Sequence, residues 1–322
     1  MNITPIQITK YQTAGKICRL IYNELKVKII SGEHNIQNLI EYGNDRLSQE
    51  LALIYKKETN KFIAYPVCIS LNNCIGNKNE NIIILEDDLI KIELGISISD
   101  CVNIIAETFR ITKEELSINF LNEIEKDILD LIKVEEINDT IKIHIESKCT
   151  DNDFFPIENC ISYQLNGNRE DILEDSKTII LNYTKKFDLD DNLISEQNIC
   201  YEFEEGDVFI INLSIIPSVE EIEKIYYKEI PSSFCHLNDF IYSLKLKHSR
   251  AFYNEIKTNY QFNTFDISKY TTPQNKIGIT ECIKSGLLEK LPLKHVYYNK
   301  NPLNVITKKF TILVGKNKSK IL

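Results

Sequence analysis

The sequence predicts an α+β fold built from two similar halves of curved, mainly antiparallel sheet covered by helices, and three observations carry that prediction. Each half opens on apolar residues at helical spacing, each then changes to strand-like runs, and a helical stretch late in the chain is followed by one more strand. With 322 residues, 43% of them hydrophobic, and only 10 Gly and 8 Pro, the chain can bury a full core. The expected organisation is a single domain over 1–322, with a first half at about 1–135, a second at about 136–322, and a helical insertion at about 233–292.

In chain order, Ile17, Leu20, Ile21, Leu25 and Ile29 predict a helix over Tyr11 to Ile30, ended by Gly32. Ile36, Leu39, Ile40, Leu47, Leu51 and Ile54 predict a second over Asn35 to Tyr55. The pattern then becomes extended at Phe62 to Ser70 and Asn81 to Leu85. Ile90, Ile92, Leu94, Ile96 and Ile98 alternate with Lys91, Glu93, Gly95, Ser97 and Ser99, the period of a half-buried strand. A bend near Ser97 to Cys101 returns the chain through Val102 to Phe109, so that Glu93 and an isoleucine, Ile104, are expected to meet across the pair. Thr112 to Lys133 is amphipathic, with Thr112 and Glu115 placed as a capping pair. A short helix or strand near Ile137 to Glu146 precedes strand-like runs at Tyr163 to Asn168, Thr178 to Asn182 and Glu205 to Leu213. His236 to Leu291 reads as helical, and Phe310 to Val314 as the last strand before a lysine-rich tail.

No early segment joins a basic start to an unbroken apolar run, and no run approaches the ~20 apolar residues that cross a bilayer, so neither secretion nor membrane insertion is expected. The nine cysteines are odd in number, sit mostly in apolar stretches and form no CxxC pair, which suits reduced core thiols. The net charge of −9 is unevenly placed: eight lysines and no acid lie between Lys290 and Leu322. Lys245, Lys247, Arg250 and Lys257 face only Glu255. Such a basic face on an acidic body is either solvated surface or a phosphate-contacting surface.

The segments KYQTAGKI from Lys10, AYPVCISLNNCIGN from Ala64, LIKIELGISIS from Leu89, QLNGN from Gln164, FEEGDVFIINL from Phe203, LKLKHSRAF from Leu244, and IGITECIKSGLLE with FTILV near the end occur in one order over nearly the whole chain. Together they resemble the aminopeptidase-like pita-bread family, above all its non-enzymatic proliferation-associated, ErbB-receptor-binding branch, and beyond it the type 2 methionine aminopeptidases. The resemblance implies the pita-bread fold with the helical insertion of the type 2 enzymes.

Active members hold two divalent metals with five side chains. Carried over by position, those ligands fall on Glu93, Ile104, Asn168, Asn212 and Lys309, and the substrate-contacting histidine falls on Asn77. Only Glu93 keeps a carboxylate. A unit positive charge ~4 Å from a dication costs roughly twice the ~4 kcal/mol of two unit charges at an effective dielectric near 20, so Lys309 opposes metal and is expected to pair with Glu93 instead. The resemblance thus implies a pseudoenzyme with no cofactor. An active methionine aminopeptidase is the disfavoured alternative.

Relatives that lost the metals bind the large ribosomal subunit, its RNA and proteins, near the nascent-chain tunnel exit, in assembly, export or translation. The expectation is that this monomeric chain does the same, in ribosome biogenesis or export, translation control or dormancy, through Lys245, Lys247, His248, Arg250 and Lys257, without DNA or membrane as partner, in the cytoplasm and also the nucleus or nucleolus. The rival is a module that binds peptides, histones included, in the former substrate cleft.

Overall fold

The computed structural model describes residues 3–76, 82–112, 116–165, 177–182, 200–238, 241–261 and 263–322. The first helix, α1 (Pro5–Ile30), begins ahead of the apolar period, because its start is fixed by a cap. Thr4 Oγ1 accepts from Gln7 N–H (3.3 Å) while Gln7 Oε1 accepts from Thr4 N–H (2.9 Å), and Pro5 occupies the first turn. Gly32, at φ 109°, ends the helix as predicted. Asn35 caps α2 (Ile36–Leu53). Then come β1 (Lys61–Leu71), β2 (Cys74–Ile75), β3 (Ile90–Ile98) and β4 (Cys101–Phe109). Ser99 and Asp100, at φ 48° and 65°, form the two-residue turn of a tight hairpin. The extended run expected up to Leu85 shrinks to an isolated bridge between Asn35 and Ile83, and Asn81 lies outside the described residues.

The second half follows with α3 (Leu116–Leu131), α4 (Asn138–Asp151), β5 (Phe154–Pro156), β6 (Cys160–Gln164), β7 (Thr178–Leu181) and β8 (Val208–Pro217). Glu115 of the expected capping pair is outside the described residues. Next are β9 (Ile225–Leu237), α5 (Lys247–Tyr260), β10 (Phe265–Asp266), α6 (Pro273–Lys284), β11 (Leu288–Tyr298), β12 (Asn301–Pro302), β13 (Ile306–Leu313) and β14 (Lys320–Ile321). The stretch expected to be helical from 233 to 292 is α-helical only in α5 and α6, and its ends belong to the long strands β9 and β11. Pro231 and Pro292 mask those strands in the sequence; they sit opposite each other at a register shift, where a missing N–H is tolerated.

The main sheet runs β1-β3-β4-β13-β8-β6-β7. Its helical face holds two cores: α1 and α2 cover the apolar side chains of β1, β3 and β4, while α3 and α4 cover β8 and β13. The apolar side of α3 packs into the second of these cores. The other face is covered too. A second sheet, β10-β9-β11-β12 with β2 joined to β11, lies against it, and Tyr65 of β1 stacks on Phe234 of β9 at 6.5 Å. β3 is therefore buried on both sides rather than half-buried: even Lys91 and Ser97 are 5% and 0% exposed.

Between the halves, β4 and β13 share one ladder position among the described residues, Ala106 opposite Lys309. Threonines complete the seam on either side of it. Thr108 Oγ1 donates to Thr307 O and accepts from Thr307 N–H, both at 2.8 Å. Thr311 Oγ1 accepts from Ile104 N–H (3.2 Å) and donates to Ile104 O (3.4 Å). The lysine-rich tail does not trail into solvent. Leu322 N–H donates to Thr311 O (3.0 Å), Asn103 Nδ2 donates to Leu322 O (2.9 Å), and Gly15 makes room, since a Cβ there would stand 2.3 Å from that oxygen.

Candidate functional site

Strand register sets a row of side chains across the two halves. Glu93 of β3 is opposite Ala106 of β4, Ala106 opposite Lys309 of β13, and Lys309 opposite Asn212 of β8. Alanine leaves the gap that Lys309 crosses: its Nζ donates to Glu93 Oε1 at 2.5 Å, the contact expected from the sequence. Ile104 is not opposite Glu93 as expected. It faces Gly95, two residues along, where a Cβ would stand 2.6 Å from Ile104 Cγ1, so glycine is what admits the isoleucine. Glu93, Ile104, Asn212 and Lys309 nevertheless line one cavity of about 230 Å³. Asn77 and Asn168 lie outside the described residues.

The rest of the wall is not marked as a site in the sequence. Tyr65, Tyr163, His236 and Leu291 also line it, the last two brought by β9 and β11 of the second sheet. Tyr65 and Tyr163 flank quoted motifs and follow strand alternation, but nothing in the sequence points His236 at a site more than a hundred residues upstream.

Burial works against the charge on Lys309, yet the neighbouring Glu93 carboxylate outweighs it and holds the ammonium above its ordinary pKa. Lys309 is therefore charged at neutral pH. Lys91, on the same face of β3, behaves oppositely: burial depresses it to about 7, and its Nζ donates to Asn72 O at 2.7 Å. Burial also raises the Cys68 and Cys160 thiols, the latter to about 11, which leaves both as inert thiols at neutral pH.

These residues do not fit a pair of divalent metals. Ile104 offers no donor, the Lys309 ammonium occupies the carboxylate of Glu93, and among the described residues no three of His, Cys, Asp and Glu come together as a ligand set. The row holds a salt bridge where metal chemistry would need clustered oxygens.

The basic candidates lie on the insertion. Ser249, Phe252 and Ile256 form the buried side of α5, against α6, where Gly278 allows close approach: a Cβ would stand 2.6 Å from Phe252 Cβ. At 100° per residue, Lys247, Arg250 and Lys257 fall on the opposite, exposed side. Lys245 and His248 are exposed beside them. Glu281 of α6 anchors the approach to α5, accepting from Lys245 N–H at 2.7 Å. One Arg250 nitrogen donates to Leu244 O (3.0 Å) and Lys245 O (3.2 Å), and Lys257 Nζ stands 5.7 Å from the centre of the Tyr253 ring. Of the apolar residues between the charges, Leu244 and Phe252 are buried, whereas Leu246 and Ala251 are exposed.

No protein-family model matches the chain. Over 98% of its length it is 24% identical to ErbB-3 binding protein 1 of Arabidopsis thaliana, covering 80% of that protein. Over 97% it is 25% identical to proliferation-associated protein A of Dictyostelium discoideum, again covering 80%. The chain resembles the proliferation-associated, ErbB-3-binding proteins. A solved structure of a thermophilic Arx1 matches with a TM-score of 0.80 over 99% of this chain and 91% of that one, at 20% identity. The fold is thus the pita-bread fold, as the motifs implied. The resemblance to proliferation-associated proteins spans both halves and the insertion, so the cavity and the basic helix both lie inside it.

Proposed function

We propose that this protein is a catalytically inactive aminopeptidase homologue that binds the large ribosomal subunit near the nascent-chain tunnel exit. The observation that carries the reading is the exposed basic side of α5, Lys247, Arg250 and Lys257 with Lys245 and His248, on a chain of net charge −9. Arginine suits bidentate phosphate contact and stacking on bases, and lysines supply point charges along an RNA backbone. The ion pair in the former metal row supports the non-catalytic half of the reading. Passage between nucleus and cytoplasm, as a monomer acting in assembly, export or translation, goes with the same proposal.

Co-sedimentation with large subunits tests it. Binding should weaken steeply between ~50 and ~200 mM salt and fall at least tenfold when Lys245, Lys247 and Arg250 are changed to Glu. Binding indifferent to both changes would refute the reading. A second reading, capture of a peptide such as a histone tail, rests on the cavity of about 230 Å³ beside the ion pair. It predicts instead that pull-downs recover histones and that a bulky residue at Asn212 abolishes capture.

A further inference from the structure

Four residues beyond Lys309 on β13, and by strand alternation on the same side, Leu313 reaches a larger cavity of about 720 Å³. Its walls come from opposite ends of the chain. On one side stand Ile3, just ahead of the Thr4 cap, and Ile8, the fourth residue of α1, positions at which apolar side chains staple a helix start. On the other stand Leu313, Val314 and the turn into β14. Ile3, Ile8 and Leu313 pack from outside against the apolar cluster that holds Tyr11 and Leu322, and all three stay half-buried.

The rim is basic. Lys316, Lys318 and Lys320 line the cavity, and Glu205 is the one acid among the described lining residues. Glu205 is engaged by Lys316, at 3.7 Å. The nearby Glu204 and Asp207 are held by Lys177, at 2.8 and 3.0 Å. Lys318 and Lys320, both exposed, make no ion pair among the described residues. Nor do these lysines ride on a loose tail: Lys320 is opposite Leu313 in the β13–β14 ladder, which puts its side chain over the same face. Gly315 lets the turn close, since a Cβ there would stand 2.6 Å from Lys318 O, and Val314 N–H donates to Asp207 O at 2.8 Å.

An apolar floor with two uncompensated cations on its rim is complementary to a chain that carries apolar side chains and more than one carboxylate. We propose that the cavity docks a short acidic segment of a partner protein, its apolar side chains seated against Ile3, Ile8 and Leu313 and its carboxylates paired with Lys318 and Lys320. The described lining has no arginine and no aromatic ring, the groups that fork onto phosphates and stack on bases, so it is poorly suited to RNA. A fatty acid would bring one carboxylate to two cations. The volume lies within the ~300–1,000 Å³ of ordinary ligand sites and leaves room for more than one side chain. No residue of α5 lines the cavity, so this docking and ribosome binding stand or fall separately.

Fluorescence anisotropy of a labelled peptide of alternating aspartate and leucine, titrated with the full chain, tests the proposal. Peptides alternating asparagine with leucine, or aspartate with serine, should each bind roughly tenfold more weakly. Lys318→Glu with Lys320→Glu should weaken the first peptide roughly tenfold and remove most of its salt dependence. The matched pair Lys276→Glu with Lys284→Glu, on the exposed side of α6, should leave binding intact. Both pairs replace exposed side chains, so both variants should fold. No binding of the first peptide, equal binding of all three, or equal loss in the two variants overturns the proposal. Displacement by oligouridylate or by laurate at lower concentration than the unlabelled acidic peptide also overturns it, reassigning the groove to nucleic acid or to an acyl chain. A dimer of the full chain that the Lys318 and Lys320 variant dissolves overturns it too, by giving the groove to a second copy.

Discussion

Lys309 and Glu93 make the sharpest statement at the scale of single residues. Each is the other's charge partner in a wall where their side chains are 24% and 13% exposed. Removing one leaves the other buried and uncompensated, so Lys309→Met or Glu93→Gln should each cost about 3 kcal/mol in urea unfolding. The double variant Glu93→Leu with Lys309→Met should cost much less than their sum, which the mutant cycle measures directly. Lys91 gives a pH dependence of known sign. Its pKa falls from 10.5 to about 7 on folding, so between those values the unfolded chain binds more protons and stability rises with pH. Below about pH 7 the folded protein bears the full penalty of charging it. Lys91→Met should therefore stabilise at about pH 6 and flatten the rise of the urea midpoint toward about pH 9. The Glu93–Lys309 contact was legible from motif positions plus charge. The register that sets Ile104 opposite Gly95 was not, because the sequence locates the bend only to within Ser97 to Cys101. A turn fixed at Ser99 and Asp100 sets Ala106 opposite Glu93, and shifting the hairpin pairing is what changes a residue's neighbour.

Among the elements, the β4–β13 seam depends on side chains where other neighbours in the sheet use backbone. Thr108→Val and Thr311→Val each keep the shape while stranding a buried N–H and C=O of the facing strand. Each should cost about 1–3 kcal/mol and should speed amide exchange at Thr307 or Ile104 in particular, read by hydrogen exchange. The helices were legible because their apolar periods are long and their caps or glycines are local. β9 and β11 were not, since their prolines disfavour the strand reading and only long-range pairing shows that the two breaks coincide. On α5, the buried Phe252 and Ile256 separate cleanly from the exposed cations, so charge reversal at Lys245 and Lys247 should change stability by no more than about 0.5 kcal/mol. Any loss of ribosome binding in those variants then reports on the surface itself.

The whole molecule is tied at its last residues as well as its centre. Ser319 N–H donates to Leu129 O (2.8 Å) and its Oγ to Ile132 O (2.7 Å) at the end of α3, while Leu322 reaches Asn103 on β4 and the slot at Gly15 on α1. Both halves are therefore held by one short segment. Deleting residues 319–322, or filling the slot with Gly15→Ala, should lower the unfolding midpoint by several degrees, seen by calorimetry. Composition shows this tail only as a lysine-rich run, because its buried Ser319 and Leu322 are outnumbered by exposed Lys316, Lys318 and Lys320. The central ion pair carries a consequence for inheritance. Glu93 belongs to one half of the chain and Lys309 to the other, so replacing either half with one that lacks the partner charge would orphan a buried charge. The two halves can diverge in their surfaces, but at the row through Ala106 they must be inherited together.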